Sequence, residues 1–285
     1  MKTFLQLPST ASWKQKKEYL HLASHLDFDG ISISSLPSNQ DIFQVLNYIN
    51  YEYKFDLGIA ILSPFFTSIE NIVKSITTFA DIIDHKKSFF IAFGIGDKIT
   101  IKNSYPNLIN PVKQFIERIE EIKNILIERD YVIDFQIAGS GNKLLDYAVQ
   151  NNLGILYNGK LISEKYLTYD KLNIFLMSHF GSLQSTQKGQ MNIILKMLIN
   201  LPKFEKNRLN ISDKMILDVK KAFNNHLNDN NFRNFLSEDI INKIAYIGNP
   251  EGLSSLISQL DRFRIKNLVL SHAPVEQWSQ IRFPS

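Results

Sequence analysis

Short apolar segments alternate along the chain with longer segments in which apolar residues recur at helical spacing. The run Phe89–Phe93 shows no polar alternation, which is typical of a strand covered on both faces. Gly94 and Gly96 follow it and allow either a sharp turn or the close approach of a ligand to the backbone. The same pattern predicts eight strands, over residues 1–7, 30–34, 57–62, 89–93, 132–137, 153–157, 172–177 and 267–270.

Between these strands, the apolar positions predict amphipathic helices. After Asn110 and Pro111, apolar residues recur at helical spacing as far as Leu126, and the charged residues lie mostly on the opposite side. Helices are expected over residues 14–26, 41–50, 68–83, 111–126, 142–151 and 250–263, with a mostly helical stretch over 186–243.

This alternation of strands and helices implies a parallel sheet with right-handed crossovers. Eight such units in 285 residues predict a (β/α)8 TIM barrel, with a doubly wound open sheet as the alternative. No linker rich in proline, glycine or serine divides the chain, so residues 1–285 are predicted to form a single domain. The long sequence before the last strand is expected to add helices that pack on the barrel or cover its mouth.

The composition narrows the classes of function. The chain has no cysteine, which excludes disulfides, thiolate catalysis and cysteine-ligated metals. Its net charge of +4 comes from scattered basic residues, so nucleic-acid binding is not expected. No apolar run approaches the roughly 20 residues that span a bilayer, and the N-terminus lacks the apolar core of a signal peptide. We therefore expect a cytoplasmic protein that binds neither nucleic acid nor membranes.

In a barrel, the loops that follow the strands form the active-site face. The sequence AGSG at 138–141 presents backbone N–H groups at the start of a helix, where the helix dipole also favours an anion. The sequence NGK at 158–160 adds a flexible turn and a cation at the neighbouring strand end. Ordinary turns made of small residues explain these two loops about as well as a phosphate site does, so both interpretations stay open.

Two histidines, His179 and His272, are predicted to follow strands seven and eight. Neither belongs to a His-x-x-x-His arrangement, and no carboxylate at a suitable spacing supports a metal site. We interpret both as packed or solvated residues. The region of Ser182 and Ser185 lacks the Gly-x-Ser-x-Gly sequence of a hydrolase, which argues against serine catalysis.

Four segments, taken in order, resemble one family. They are LGIAILSPFFTSIENIVKSITTFADI at 57–82, FFIAFGIGDK at 89–98, VIDFQIAGSGNKLLDYAVQNNLGILYNGK at 132–160 and IAYIGNPEGLSSLISQLDRFRIKNLVLS at 244–271. Together they resemble the third to sixth strands and the closing helix and strand of the bacterial-luciferase-like monooxygenases. Within that family, GIGDK and the sequence SNQDIF at 38–43 resemble the coenzyme F420-dependent branch, which includes methylenetetrahydromethanopterin reductase.

The resemblance implies a (β/α)8 barrel, usually a homodimer, with coenzyme F420 or alternatively the flavin FMN at its mouth. It implies a non-prolyl cis peptide bond between Ala60 and Ile61, behind the cofactor ring. It also places Asp97 at the mouth as the catalytic acid or base, or as the group that orients the substrate. From the spacing of the chain's histidines and carboxylates, no metal is expected. The cofactor-binding positions that it implies are Ser35, Ala60, Ile61, Ser63, Gly94 and Gly96 near the ring, and Gly139, Ser140, Gly141, Asn158, Gly159 and Lys160 near the phosphate.

Three positions depart from the family. Gln6 stands where the reductase has a glutamate, and Ser35 and Leu36 stand where the family has Asp-His. Glutamine cannot exchange a proton as a carboxylate does, and leucine cannot form a hydrogen bond through its side chain. The intact glycine loops favour an F420- or flavin-dependent oxidoreductase that transfers hydride to or from a small organic substrate, with pterin-linked compounds among the candidates. The departures favour a catalytically degenerate barrel that binds a ligand or serves as a partner protein.

Overall fold

The structure is a computed structural model, and it describes residues 1–35, 41–96, 101, 105, 108–139, 141–181, 188–226, 238–271 and 278. Six residues discussed above lie outside this part of the chain, namely Leu36, Asp97, Ser140, Ser182, Ser185 and His272.

The strands of the described chain are all parallel to their neighbours. They are β1 (Lys2–Leu7), β2 (Gly30–Ile33), β3 (Asp56–Leu62), β4 (Phe89–Phe93), β5 (Asp134–Gly139), β6 (Gly154–Asn158), β7 (Leu172–Phe180), β8 (Tyr246–Gly248) and β9 (Asn267–Ser271). Strands β1 to β7 follow one another around a ring, which closes because β7 pairs with β9 and β9 pairs with β1. The predicted (β/α)8 barrel is confirmed, and the alternative of an open sheet is wrong.

Two strands differ from their predicted bounds by two residues or more, and a third strand was not predicted. The predicted start of β5 at Val132 is wrong, because the strand begins at Asp134 and Val132 is 98% exposed. β7 extends beyond the predicted end at 177 to Phe180, because its last residues pair with β8, a strand that the sequence did not predict. His179 therefore lies inside a strand, and its predicted place in the following loop is wrong.

Helices follow the strands around the barrel. Those of the described chain are α1 (Trp13–His25), α2 (Ile42–Glu52), α3 (Ile69–Ile82), α4 (Pro111–Glu128), α5 (Asn142–Gln150), α6 (Glu164–Leu167), α7 (Lys188–Asn200), α8 (Lys203–Arg208), α9 (Asp213–His226), α10 (Glu238–Asn242) and α11 (Pro250–Asp261). The predicted apolar stripe of α4 is buried along its whole length. The short helix α6 was not predicted, because four residues are too few to show a helical period.

Polar residues fix where several of these helices begin. Ser12 and Gln15 form a capping box at the start of α1. Ser68 caps α3 in the same position, and Asn110 caps α4 ahead of Pro111. Proline suits this place because the N–H group that it lacks would have no partner within the helix.

Glycines make room for large side chains inside the barrel. A Cβ atom built on Gly30 would lie 2.2 Å from the ring of Phe4, and one built on Gly58 would lie 2.3 Å from the ring of Phe90. These two rings pack edge to face with their centroids 5.1 Å apart. They form an inner cluster with Ala60, Ala92, Leu156 and Val269. The barrel is therefore filled below its mouth, as the fold requires.

Helices α7 to α10 lie between β7 and β8, and we call residues 188–226 and 238–245 the helical insertion. They build a hydrophobic cluster of their own. Met177, near the end of β7, belongs to this cluster together with Ile244 and Ala245. The insertion thus packs on the barrel at the carboxyl end of β7.

Candidate functional site

The carboxyl end of β3 carries a cis peptide bond between Ala60 and Ile61, as predicted. Ala60 belongs to the inner cluster and Ile61 packs against it, whereas Leu62 joins the core between sheet and helices. Two consecutive side chains therefore face the inside of the barrel at its mouth. The carbonyl of Ile61 accepts a hydrogen bond of 2.9 Å from the N–H group of Ser35, which places Ser35 beside this strand.

Gln6 lies inside the barrel on β1, where it is 4% exposed. Its Nε2 atom donates to the carbonyl oxygen of Ala60 at 2.9 Å, and its Oε1 atom accepts from the hydroxyl of Ser32. One neutral amide satisfies both partners, whereas an ionised carboxylate could only accept. Gln6 therefore supports the backbone of β3, and it provides no proton for chemistry.

Hydrogen bonds join the loops that follow β3 and β4. The hydroxyl of Ser63 donates to the carbonyl oxygen of Ile95 at 2.8 Å. A Cβ atom on Gly94 would lie 2.6 Å from Cδ1 of Ile61, so glycine lets that side chain pass across the backbone. Gly96 has a φ of +94°, which other residues adopt only with strain. The structure thus brings together Ile61, Ser63, Gly94 and Gly96, four of the residues assigned to the ring.

Sequence reasoning missed the residues that support the β3 loop from outside. Arg118 of α4 donates through Nε to the carbonyl of Pro64 at 2.9 Å and through Nη2 to the carbonyl of Thr67 at 3.1 Å. Tyr105 donates to the carbonyl of Phe65. Their acceptors are backbone carbonyls, which every residue has, so no pattern of residue types could have indicated these contacts.

The ends of β5 and β6 lie side by side, with Gly139 opposite Tyr157. Gly139 has a φ of +154°, in the region that favours glycine. Gly141 is the N-cap of α5 and provides no side-chain hydrogen bond to the first turn. The N–H groups and the positive end of the helix dipole are thus available to an anion at this strand end.

Lys160 lies two residues after the end of β6. The preceding residue, Gly159, is fixed by donating its N–H group to the carbonyl of Phe175 at 3.2 Å. The ammonium of Lys160 lies 5.8 Å from the centroid of the Tyr246 ring and forms no ion pair with any carboxylate of the described residues. Burial lowers the pKa of Lys160 below its ordinary value. A half-buried ammonium that has a lowered pKa and no described carboxylate partner would be stabilised by an anionic ligand.

Asn158 is the last residue of β6. Its buried Oδ1 atom has no hydrogen-bond partner within the described chain. Buried polar atoms are nearly always bonded, so this oxygen suits a hydroxyl donor from a ligand. A cation, a helix N-terminus and an acceptor amide together fit a molecule that carries both a phosphate and a hydroxyl-bearing chain. F420 and FMN are molecules of this type.

The helical insertion contacts both glycine loops. The Cγ atom of Pro202 lies 3.7 Å from a Cβ atom built on Gly141. The carbonyl oxygen of Ile244 lies 3.9 Å from a Cβ atom built on Gly159. The candidate anion site therefore has barrel loops on one side and contacts the insertion on the other.

Other features of the described residues limit what the site can be. His179 is 2% exposed and shares a face of β7 with Phe175 and Met177, which agrees with its interpretation as a packed residue. Among the described side chains, no group of three or more His, Asp or Glu residues could hold a metal ion. None of the described helices is both long and apolar enough to cross a membrane.

A cavity of about 660 Å³ lies at the opposite end of the barrel, where the strands begin. Its lysines are already paired, with Lys2 bound to Asp56 at 2.5 Å and Lys266 bound to Asp134 at 2.6 Å. In barrels of this kind, catalytic groups sit at the carboxyl ends of the strands. We therefore place the functional site at the mouth and not in this cavity.

Comparisons with solved structures agree on the fold, whereas comparisons of the sequence find no relative. No protein-family model and no curated protein matches the sequence. The structure is similar to coenzyme F420-dependent tetrahydromethanopterin reductase from Methanopyrus kandleri, with a TM-score of 0.76, 16% identity, and coverage of 99% of this chain and 98% of that one. It is also similar to an F420-dependent secondary alcohol dehydrogenase solved with an F420-acetone adduct, with a TM-score of 0.66, 11% identity, and coverage of 99% and 97%.

A third similar structure is the monooxygenase RslO1 from Streptomyces bottropensis, with a TM-score of 0.61, 12% identity, and coverage of 98% and 95%. All three are luciferase-like barrels, so the luciferase-like fold predicted from the sequence is confirmed.

Proposed function

We propose that this protein is an oxidoreductase that binds coenzyme F420, or alternatively FMN, at the barrel mouth. The observation that carries the proposal is Lys160, a half-buried ammonium without a described carboxylate partner, which lies two residues after β6 and beside the strand that leads to an uncapped helix N-terminus. An anion is the partner that these groups lack. The substrate is a small organic molecule, with pterin-linked compounds among the candidates.

The similar structures support this choice of cofactor, because two of the three are F420-dependent proteins and both are covered almost completely. In the proposal, the phosphate binds at Gly139, Ser140, Gly141, Gly159 and Lys160, the hydroxyl-bearing chain meets Asn158, and the ring lies near Ser35, Ala60, Ile61, Ser63, Gly94 and Gly96.

The bound deazaflavin or flavin supplies the hydride donor or acceptor, so the chain itself needs only to bind, orient and protect the reacting groups. Phe66 and Ile101 lie 3.5 and 3.6 Å from a Cβ position on Gly96, and they give this side of the mouth an apolar surface that excludes water. Asp97, next in sequence, holds or donates the proton that the substrate exchanges.

A second candidate function is a catalytically degenerate barrel that binds a ligand or serves a partner protein. The observation that favours it is Gln6, whose amide is engaged by Ser32 and Ala60 where a catalytic carboxylate was expected. The homodimer and the single domain over 1–285 stay predictions.

Equilibrium titration with F420, FMN and FAD, followed by an assay of cofactor oxidation, separates the two candidates. We expect quenching of the fluorescence of F420 or FMN on binding, followed by oxidation of the reduced cofactor in the presence of substrate. Binding to none of the three would rule out the oxidoreductase. If one binds, Asp97→Asn should reduce the oxidation rate sharply while the affinity for the cofactor stays close to that of the wild type. An unchanged rate would remove Asp97 from the mechanism.

A further inference from the structure

Helix α8 of the insertion touches both loops of the proposed anion site. Before its first turn, Pro202 lies against the start of α5 at Gly141. At its last residue, Arg208 donates through Nη2 to the carbonyl of Leu161 and, at 3.2 Å, to the hydroxyl of Tyr157. One short helix therefore spans the gap between the β5 loop and the β6 loop.

Glu205 fixes the direction of the Arg208 side chain. Its two carboxylate oxygens lie 3.2 and 3.1 Å from Nε of Arg208, and Oε2 lies 2.6 Å from Nη2. Glu205 is 1% exposed, and a buried carboxylate is costly unless it is paired in this way. The guanidinium is planar and donates its hydrogen bonds in fixed directions, so pairing with Glu205 leaves it few orientations. In the observed one, Nη2 points towards the β6 loop.

The contact with Leu161 matters because Leu161 comes directly after Lys160. On one side of Lys160, the N–H group of Gly159 is bonded to Phe175, and on the other side the carbonyl of Leu161 is bonded to Arg208. The backbone of Lys160 is thus held at two points. We call Glu205 and Arg208 the clamp. Because Glu205 neutralises Arg208, the clamp adds no free cation that would compete with Lys160 for the ligand.

We infer that Glu205 and Arg208 are positioning residues, which hold Lys160 and the start of α5 at the separation that a phosphate group requires. This inference rests on the proposed function and assigns the helical insertion a part in it. An ion pair between a buried carboxylate and a guanidinium that is 30% exposed is weak support for stability but can fix one geometry among several, so removing both charges should affect phosphate binding more than folding.

The test compares F420 with the same deazaflavin chromophore lacking the phosphate-bearing tail, or FMN with riboflavin if the wild type prefers the flavin. In Arg208→Gln, we expect the affinity for the phosphate-bearing ligand to fall about tenfold or more, because the carbonyl of Leu161 loses the charged donor that holds the backbone next to Lys160 in place. The affinity for the phosphate-free ligand should stay within about twofold, since the ring contacts are untouched.

Two further variants keep the result interpretable. Arg208→Gln leaves Glu205 buried without a partner, so the double variant Glu205→Gln/Arg208→Gln removes both charges and should show the same selective loss. Lys203→Gln changes the same charge on an exposed position of the same helix and should leave both affinities unchanged. Thermal unfolding and circular dichroism of each variant identify any general loss of fold.

Each outcome decides one claim. If the wild type binds neither ligand pair, the proposed function fails and this inference fails with it. If the wild type prefers the phosphate-bearing ligand and the clamp variants keep that preference in full, the inference is overturned while the proposed function stands. A selective loss in both clamp variants, with Lys203→Gln unchanged, supports the inference.

Discussion

At the scale of single residues, Gln6 shows how one buried amide can satisfy two neighbouring groups inside the barrel. The amide donates to the carbonyl of Ala60 and accepts from the hydroxyl of Ser32, so it satisfies two buried groups that otherwise would lack partners. A neutral amide does not exchange a proton as a carboxylate does. The proposed chemistry therefore depends on the cofactor and on Asp97.

We predict that Gln6→Glu is less stable than the wild type by about 1–3 kcal/mol at pH 7. Burial raises the pKa of a carboxyl in the folded state above its unfolded value of about 4.3, and only the neutral acid can donate to Ala60. The variant is therefore most stable below that unfolded value and loses stability as the pH rises through the folded pKa. Urea denaturation at several pH values measures this, with the exposed Gln44→Glu as control; a deficit that does not depend on pH would contradict it.

Lys160 illustrates the opposite balance, because its burial lowers its pKa and makes the charged form costly in the free protein. A lysine whose pKa is lowered by folding contributes to stability above its unfolded-state pKa, and this contribution is lost as the pH falls through the folded-state pKa. At neutral pH the charged side chain therefore lowers the stability of the folded protein. We predict that Lys160→Met is at least as stable as the wild type at pH 7 and binds the phosphate-bearing cofactor about tenfold more weakly or worse. Thermal unfolding and fluorescence titration measure the two effects, and unchanged affinity would remove Lys160 from the site.

Some site residues could be predicted from the sequence and others could not. Gly94 and Gly96 were predicted because glycines at the end of a buried apolar run often occupy positions where a side chain would not fit. In the structure, a side chain passes close to Gly94, and Gly96 has a positive φ. Gln6 was noticed only as a departure from a family. Its partners Ser32 and Ala60 come from two other strands, and sequence alone does not reveal such contacts.

At the scale of elements, the apolar periods predicted α2, α3 and α4 with their buried faces, because each of those helices buries one continuous stripe. The strand β8 and the helix α6 were missed, because three or four residues carry no readable period. The contact between α8 and the glycine loops also could not be predicted, because it joins segments that are far apart in the sequence.

The start of α5 gives a prediction at this scale. Gly141 has a φ of −85°, and a Cβ atom there would lie 3.7 Å from Pro202, which is ordinary contact. We therefore expect Gly141→Ala to fold normally and to bind the cofactor nearly as well as the wild type. Gly141→Val adds branches that crowd the loop and should abolish binding of the phosphate-bearing ligand in titrations. Equal affinity in the valine variant would refute the place assigned to the phosphate.

At the scale of the whole molecule, the alternation of glycines and large rings inside the barrel determines how its interior is filled. Gly58 leaves space for the ring of Phe90, and Gly30 leaves space for the ring of Phe4. The sequence predicted eight strands and their closure into a barrel. It could not show which residues face inward, because both faces of these strands are apolar.

This packing predicts that Gly58→Ala is destabilised by about 1–3 kcal/mol, since its new methyl group would overlap the ring of Phe90 and force a shift. Denaturant unfolding measures the change, with Gly141→Ala as a matched control in which the added methyl meets only ordinary contacts. Equal stability of the two variants would show that the barrel interior is looser than described.

The central claim is that a phosphate-bearing deazaflavin or flavin binds at the mouth of this barrel, with its phosphate between the start of α5 and the β6 loop. A crystal structure of the protein with F420, or with FMN if titration favours it, tests this most directly. We predict the phosphate within hydrogen-bond distance of Lys160 and of the N–H groups of the first turn of α5, and the ring beside Ala60 and Ile61. A ligand bound in the cavity at the opposite end of the barrel, or a phosphate remote from Lys160, would contradict the account.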